Sequence, residues 1–267
     1  MMKATTTAPK THGPRAQAPA GAPRFDRPAA DRSHCLSCAI RRHAVCAQCS
    51  GPDLEKLTEI KGYRDIRAGA SLVSAGERTA FLGSVLQGVA AMSRLMSDGR
   101  RQVVGLLFPG DFIGRPFRPV APFDVTAITP VRLCTFSRPR FEELVREVPA
   151  LEHRLLEMTL DELDSAREWM VLLGRKSAQE KIASFFVLAA HRALRLENRN
   201  PIDGMMLELP LTREDMADFL GLTIETVSRQ IGALRKAGVI DLVDARNLLI
   251  PSWDALVEAA GGELETV

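Results

Sequence analysis

The sequence predicts an α+β protein with an N-terminal antiparallel β-roll, a long helix and a C-terminal winged helix-turn-helix. Three observations predict this order. Short apolar strands separated by turn residues run from about residue 59 to 136, an apolar seam with helical spacing follows as far as Leu173, and two short helices with a tight turn follow Thr212. The chain has 267 residues, of which 46% are hydrophobic and 25% charged. That composition excludes a disordered or collagen-like chain.

Composition divides the chain further. The first 32 residues carry five prolines and one aromatic side chain, Phe25, so they cannot bury enough apolar surface to order themselves. They have no apolar core typical of a signal peptide, and no apolar run reaches membrane-spanning length, so we expect a cytoplasmic protein without membrane contact. The expected segments are a disordered arm at 1–32, a cysteine-rich segment at 33–50, the β-roll at 51–140, the long helix at 141–173 and the winged helix-turn-helix at 174–267.

The cysteines are unevenly distributed. Four lie within fifteen residues as two C-x-x-C pairs, Cys35 with Cys38 and Cys46 with Cys49, whereas Cys134 is remote. In a reducing cytosol clustered thiols are more often ligands or redox groups than disulfides. The two pairs could hold zinc, but seven intervening residues are fewer than a zinc ribbon normally has. An iron–sulfur cluster also needs four thiolates and can take one from a distant segment, which Cys134 could supply. Inert thiols are a third reading, and spacing alone leaves all three open.

The middle of the chain has the pattern of antiparallel strands. Ala90–Met96 and Gln102–Phe108 flank an Asp-Gly turn, which is a strong hairpin signal. Pro109-Gly110-Asp111 predicts another turn, and Ala127–Phe136 is predicted as a strand that carries Cys134. We expect a roll or barrel with a filled interior. A β-sandwich without a ligand fits the periodicity equally well.

Helix-forming residues dominate after Pro139. Their apolar members recur at steps of three and four, which is typical of the seam of a two-stranded coiled coil. Because the helix is longer than packing on a small roll requires, we expect this seam to close on a second copy and form a homodimer. Gly174 is expected to end the helix, and a capping box at Ser177 to begin the next. The predicted dimer seam is Leu155, Thr159, Leu163, Ala166, Met170 and Leu173.

The C-terminal part has helix-turn-helix spacing. Thr212 is expected to open the first helix, Gly221 to adopt the left-handed turn conformation, and Thr223 to cap the second helix. Residues 240–250 are expected to form a hairpin wing. The buried stripe of the second helix is predicted to be Ile224, Val227, Ile231 and Leu234.

Three polar residues of the second helix point to DNA. Glu225, Ser228 and Arg229 share its exposed face near the N-terminus, which in a recognition helix meets base edges in the major groove. Arginine can chelate guanine, glutamate can accept from cytosine, and serine can do either. The alternatives are a solvated polar face and a helical pair with no DNA role. The region after residue 209 has five basic and ten acidic residues, so binding would depend on a local basic face.

These motifs together resemble the CRP/FNR superfamily of bacterial transcription regulators, and within it an α-proteobacterial branch of FNR-type oxygen sensors. The resemblance covers about residues 33–255. It rests on Glu225-Thr-Val-Ser228-Arg229, on Phe108-Pro-Gly-Asp-Phe-Ile-Gly114 and on Gly174-Arg-Lys-Ser-Ala-Gln-Glu180. The resemblance implies a cyclic-nucleotide-binding-like roll. It also implies that Val125 and Asp111 replace the Arg and Glu with which relatives hold a cyclic nucleotide, so we expect no such ligand.

The resemblance also implies a cofactor and a function. FNR-type sensors hold a 4Fe–4S cluster, and the matching ligands are Cys35, Cys38, Cys46 and Cys134, with Cys49 as an alternative third ligand from the N-terminal segment. The implied protein is a transcription regulator that dimerises at low oxygen and reads a palindrome of TTGAT-like half-sites in double-stranded DNA. It would contact RNA polymerase and control anaerobic genes, as an activator or as a repressor. Two rivals remain: a cluster-free or zinc-bearing regulator that responds to another signal, and a thiol redox enzyme. The sequence has no pair of a nucleophile and a base, and no C-x-x-C at a strand-to-helix turn, as a thiol redox enzyme would need. We therefore expect that the protein is not an enzyme.

Overall fold

The computed structural model describes residues 33–262, so the predicted N-terminal arm lies outside it. Within that range the chain forms a β-roll, a long helix and a C-terminal unit of helices with a small sheet, which confirms the predicted fold class. In the same range, no helix combines the length and apolar character needed to cross a membrane.

The roll is preceded by two helices, α1 (Ser33–Leu36) and α2 (Gly51–Ile60). Its strands are β1 (Lys61–Ile66), β2 (Ser71–Val73), β3 (Phe81–Gln87), β4 (Ala90–Leu95), β5 (Arg101–Leu107), β6 (Phe112–Ile113), β7 (Asp124–Ala127) and β8 (Val131–Ser137). They form two four-stranded antiparallel sheets, in the orders β1-β8-β3-β6 and β2-β7-β4-β5. Apolar side chains of both sheets, such as Val85 and Leu107, share one buried core.

The predicted hairpin is present within one residue at each end. Strands β4 and β5 pair antiparallel, and Gly99 in the turn has φ +86°, which favours glycine. By contrast, the prediction of one strand over 127–136 is wrong. The chain leaves β7 at Ala127 and re-enters the opposite sheet as β8 at Val131, because Pro130 has no N–H for a ladder and restricts the preceding residue.

The single helix predicted over 141–173 is two helices, α3 (Arg138–Glu147) and α4 (Pro149–Arg175). Pro149 causes the break, since a proline fits the first turn of a helix but cannot continue one. Gly174 does not end α4, because the helix continues one residue further and Lys176 forms its C-cap. The capping box at Ser177 is confirmed: its hydroxyl accepts from the Glu180 N–H at 3.3 Å.

The predicted seam lies partly on the exposed face of α4. Leu155 and Leu173, the two ends of that seam, are half-buried against the chain's own cores. Its other members, Thr159, Leu163, Ala166 and Met170, are exposed. The large apolar side chains that α4 leaves exposed form a ridge that shares Leu163 and Met170 with the seam, and we call this the α4 ridge. It consists of Leu156, Leu160, Leu163, Met170 and Val171.

The C-terminal unit contains the predicted helix-turn-helix and wing. Thr212 and Thr223 cap their helices, and Gly221 has φ +64° in the turn. Ile224, predicted to be buried, is 45% exposed because it lies at the first turn, ahead of the buried Val227. The wing is completed by a strand that periodicity did not predict, β9. The elements are α5 (Ala178–Leu194), β9 (Met205–Glu208), α6 (Arg213–Leu220), α7 (Ile224–Lys236), β10 (Asp241–Leu242), β11 (Asn247–Ile250) and α8 (Trp253–Ala259), with a single 3-10 turn at Arg195–Glu197.

Candidate metal centre and nucleic-acid interface

A row of side chains crosses the sheet that contains Cys134. Strand β8 lies between β1 and β3, and Cys134 pairs in register with Tyr63 on one side and with Ser84 on the other. Residues directly opposite each other in antiparallel strands project from the same face of the sheet. Cys134 is therefore presented on the sheet face that also carries Tyr63 and Ser84.

The cysteine segment folds over this face in a series of tight turns. The Arg41 N–H donates to the Cys38 carbonyl at 3.0 Å, and the Cys49 N–H donates to the Cys46 carbonyl at 3.1 Å. The apolar side chains between the two C-x-x-C pairs, Ile40, Ala44 and Val45, are almost fully buried. This burial anchors the segment to the roll, and it explains why the seven residues between the pairs include apolar ones.

Four of the five thiols surround one small cavity. Cys35, Cys38 and Cys46 of the segment and Cys134 of β8 line it together, and each of these residues is partly buried. Cys49 does not line the cavity. Its side chain is 1% exposed and packs in the apolar core beside Leu54 and Leu57.

Burial controls the protonation of these thiols. It is the largest cause of the raised pKa values of Cys134 and Cys46, and neighbouring thiols raise both further, whereas the Arg41 guanidinium opposes the shift at Cys46. Burial also raises the pKa of Cys49 to about 11. A thiol of this kind keeps its proton until a metal replaces it, so loading the cavity with a metal would release protons.

Two polar groups already face Cys35. The Lys61 ammonium donates to Cys35 Sγ at 3.1 Å, and the Thr58 hydroxyl does so at 3.4 Å. Lys61 lines the same cavity, so a positive charge stands beside thiols that would carry negative charge as ligands.

The donor set around the cavity has the chemistry of a metal ligand set. Within residues 33–262, no group of three or more His, Cys, Asp or Glu side chains is arranged to hold a metal ion. Four cysteine side chains nevertheless line the same cavity. Thiolates are soft donors, and four of them are the ligand set of a zinc ion as well as of a 4Fe–4S cluster.

The cysteine segment also contacts α4. The Gln48 amide donates to both carboxylate oxygens of Glu157, at 3.0 and 2.9 Å. The Arg154 guanidinium donates to the His43 carbonyl at 3.1 Å. His43 itself is absent from the thiol cavity, and burial followed by the charge of Arg195 lowers its pKa. The segment that supplies three of the four thiols of the cavity is therefore held to the helix that carries the α4 ridge.

The DNA-facing residues predicted from sequence lie together on α7. Glu225, Ser228 and Arg229 are all exposed in its first half. Thr223 caps the helix by accepting from the Thr226 N–H at 3.2 Å. Backbone N–H groups at the helix start and the Thr223 hydroxyl lower the pKa of Glu225, so its carboxylate is the hydrogen-bond acceptor that a cytosine amino group needs.

A larger cavity of about 710 Å³ lies between the roll and α4. Its wall includes Val125 and Asp111, the two positions at which the sequence departs from the cyclic-nucleotide pattern. The Asp111 carboxylate accepts from Arg192 at 3.2 Å and from Arg195 at 3.4 Å. Through these two contacts, Asp111 links the roll to α5 and to the 3-10 turn that follows it.

Both the roll and the helix-turn-helix unit match known protein families. Residues 63–148 match the cyclic nucleotide-binding domain family, and residues 180–259 match the Crp-like helix-turn-helix domain family. Over 229 residues the chain is 50% identical to the transcriptional activator protein FnrL of Cereibacter sphaeroides, which covers 86% of this chain and 92% of that protein. The chain belongs to the CRP/FNR family of transcription regulators. This confirms the family that the motifs resemble.

Other relatives of this CRP/FNR regulator agree. The nitrogen fixation regulation protein FixK of Bradyrhizobium diazoefficiens is 38% identical over 78% of this chain and 86% of its own length. The solved structure of FixK2 from Bradyrhizobium japonicum superposes with a TM-score of 0.68 at 29% identity, covering 78% of this chain and all of that one. Similar proteins are thus transcription regulators, among them activators.

The sequence did not predict several residues around the thiols, namely Thr58, Lys61 and Ser84. Nothing in their spacing relates them to the cysteines. Lys61 begins β1 and Ser84 lies in the middle of β3, and only the pairing of both strands with β8 brings them to Cys134.

Proposed function

We propose that this CRP/FNR regulator is an oxygen-responsive transcription regulator that holds a 4Fe–4S cluster on Cys35, Cys38, Cys46 and Cys134. The observation that carries the proposal is the convergence of these four thiols on one cavity, while Cys49 packs in the apolar core. The identity to a transcriptional activator supports the regulatory role, and the polar face of α7 supports action on DNA rather than catalysis. A DNA-binding regulator of this kind acts in the cytoplasm.

The cavity explains how a signal could reach the rest of the protein. When bound, the cluster would supply an oxygen-sensitive link between the cysteine segment and β8. The residues of the chain do the rest. With its thiols engaged, the segment keeps Gln48 on Glu157 and the His43 carbonyl on Arg154, so the first half of α4 is supported from outside the roll. When the thiols are released, the segment loses three of its anchors and α4 loses this support.

Dimerisation is the next step of the proposal. The α4 ridge exposes apolar side chains at steps of four and three, including Leu156, Leu160 and Leu163. Such a ridge fits a second copy of itself around a two-fold axis, and a two-fold dimer places two recognition helices about 34 Å apart, one turn of DNA. Cluster binding promotes DNA binding to the extent that it favours the dimer over the monomer.

Base reading is assigned to α7. We assign Arg229 to the guanine of a TTGAT-like half-site, Glu225 to the cytosine opposite that guanine, and Ser228 to a neighbouring base or phosphate. Regulation of anaerobic genes would then proceed through contact with RNA polymerase.

Single Cys→Ala substitutions at all five positions test the cluster assignment. After anaerobic reconstitution with iron and sulfide, we expect variants at Cys35, Cys38, Cys46 and Cys134 to lose the cluster's visible absorbance and most of their bound iron. Cys49→Ala is the matched control and should load like the unaltered protein. Equal loading of Cys46→Ala would move the third ligand to Cys49. A colourless unaltered protein with stoichiometric zinc would refute the proposal and favour a zinc-bearing regulator.

A further inference from the structure

Ser84 is a buried serine whose hydroxyl makes no hydrogen bond within the described part of the chain. The residue is 2% exposed. Buried hydroxyls normally have a partner, because leaving one unpaired costs free energy. Where such a hydroxyl lines a cavity, a group bound in that cavity can supply the missing partner.

The position of Ser84 shows where such a partner would lie. Ser84 lines the cavity of the four thiols and pairs in register with Cys134 on the neighbouring strand. Directly paired residues have their Cβ atoms about 5 Å apart on one face of the sheet. The rest of the wall near Ser84 is largely apolar, with Leu86 and Phe136 on the same side. The open hydroxyl thus faces a space bounded by the four thiols, by apolar side chains and by the polar side chains of Lys61 and Tyr63.

We propose that Ser84 is a positioning residue that donates its O–H to a sulfur of the iron–sulfur cluster or to the Cys134 thiolate that binds it. This inference rests on the proposed function. A hydrogen bond to an anionic sulfur withdraws charge from it and makes the cluster harder to oxidise. Ser84 thereby slows the loss of the cluster in oxygen, and the protein's threshold for oxygen depends on this hydroxyl.

Thr135 provides a matched control on the same sheet. It is also a buried residue, 1% exposed, and its hydroxyl also finds no partner among the described residues. It follows Cys134 directly in β8, so it projects from the opposite face of the sheet and does not line the thiol cavity. A general effect of removing a buried hydroxyl would appear at both positions, whereas contact with the cluster affects Ser84 alone.

The test compares Ser84→Val and Ser84→Thr, which match each other in shape and differ in the hydroxyl, with Thr135→Val as control. Each protein is reconstituted anaerobically, and its bound iron and sulfide are measured. The decay of its visible absorbance is then followed after mixing with air-saturated buffer. We expect Ser84→Val to load fully and decay about 3- to 10-fold faster than the unaltered protein, the range that one hydrogen bond spans. Ser84→Thr and Thr135→Val should decay at the unaltered rate.

Equal decay rates for Ser84→Val and Ser84→Thr would overturn the inference, as would an equal acceleration in Thr135→Val. Ser84→Ala removes the hydroxyl without added bulk and replaces Ser84→Val if the latter does not fold. If the unaltered protein itself takes up no iron and sulfide, the proposed function has failed. If the unaltered protein takes up iron and sulfide normally but Ser84→Val and Ser84→Thr lose the cluster at the same rate, the role of Ser84 is refuted and the proposed function is not.

Discussion

Cys46 and Cys49 show how much a single residue's surroundings decide. Both belong to one C-x-x-C pair, yet Cys46 lines the thiol cavity and Cys49 packs beside Leu54 in the apolar core. The sequence left the choice of third ligand open, because Cys49 follows Cys46 by only three positions. The turn between Cys46 and Cys49 aims the two side chains apart, and only the packing of α2 against that turn identifies which of them is buried.

At the same scale, Arg229 is the residue on which base recognition should depend most. Replacing it with alanine removes a bidentate donor from the exposed face of α7, so we expect a loss of about 1–3 kcal/mol in binding free energy. Preference at one guanine should relax, measured by selecting binding sites from a randomised half-site.

Arg235 supplies the control, since it is exposed in the last turn of α7, away from the end that meets base edges. Arg235→Ala should weaken binding to all sequences alike or leave it unchanged. An Arg229→Ala protein that selects the same bases as the unaltered one would contradict the assignment.

At the scale of elements, α4 has two different faces. Its inner face contacts the chain's own cores through Leu155 and Trp169, whose ring lies 4.4 Å from that of Phe219. Its outer face exposes the α4 ridge. The sequence predicted the existence of the helix and an apolar seam from spacing, but it did not predict the break before Pro149 or the register of the exposed stripe. These depend on which side the roll occupies.

The two faces predict that two leucine substitutions affect different properties, dimerisation in one case and the free energy of unfolding in the other. Leu160 is 50% exposed on the ridge, so Leu160→Ala should weaken dimerisation about ten-fold or more, because the substitution counts twice across a two-fold axis. Leu155→Ala should instead lower the free energy of unfolding by about 1–3 kcal/mol, because Leu155 packs inside the chain.

Sedimentation equilibrium of the reconstituted protein measures the first effect, and urea unfolding at one fixed protein concentration measures the second. If Leu155→Ala, and not Leu160→Ala, produced monomers, the contact with the second copy would run through the seam residue Leu155 and not through the ridge residue Leu160.

At the scale of the whole molecule, the roll and the helix-turn-helix unit are tied directly to each other. Arg101 at the start of β5 donates to Asp218 at 2.7 Å and to Asp215 at 2.6 Å, both on α6. Nearby, Ala91 and Val103 of the roll join the apolar core of the C-terminal unit. The first helix of the helix-turn-helix therefore rests on the β4–β5 hairpin, and movement of α7 toward DNA must be compatible with this contact.

We expect Arg101 and Asp218 to be energetically coupled. A double-mutant cycle with Arg101→Gln and Asp218→Asn should give a coupling of about 1 kcal/mol in the free energy of unfolding, modest because solvent partly screens the pair. Arg100→Gln is the control, because Arg100 pairs with Asp98 inside its own exposed turn. Paired with Asp218→Asn it should show no coupling, and urea unfolding at constant protein concentration measures both cycles. Additive effects of Arg101 and Asp218 would show that the tie contributes nothing.

The elements whose signals are local could be predicted from the sequence. The Asp-Gly hairpin, the caps at Ser177, Thr212 and Thr223 and the left-handed Gly221 depend on a few neighbouring residues. The order of the parts, together with the motifs at 108–114, 174–180 and 225–229, indicated the family. The tertiary structure alone decided which thiols meet, which stripe of α4 is exposed, and that Ser84 and Lys61 face the thiols. These features depend on strand register and on packing between segments far apart in sequence, and no short-range pattern encodes such contacts.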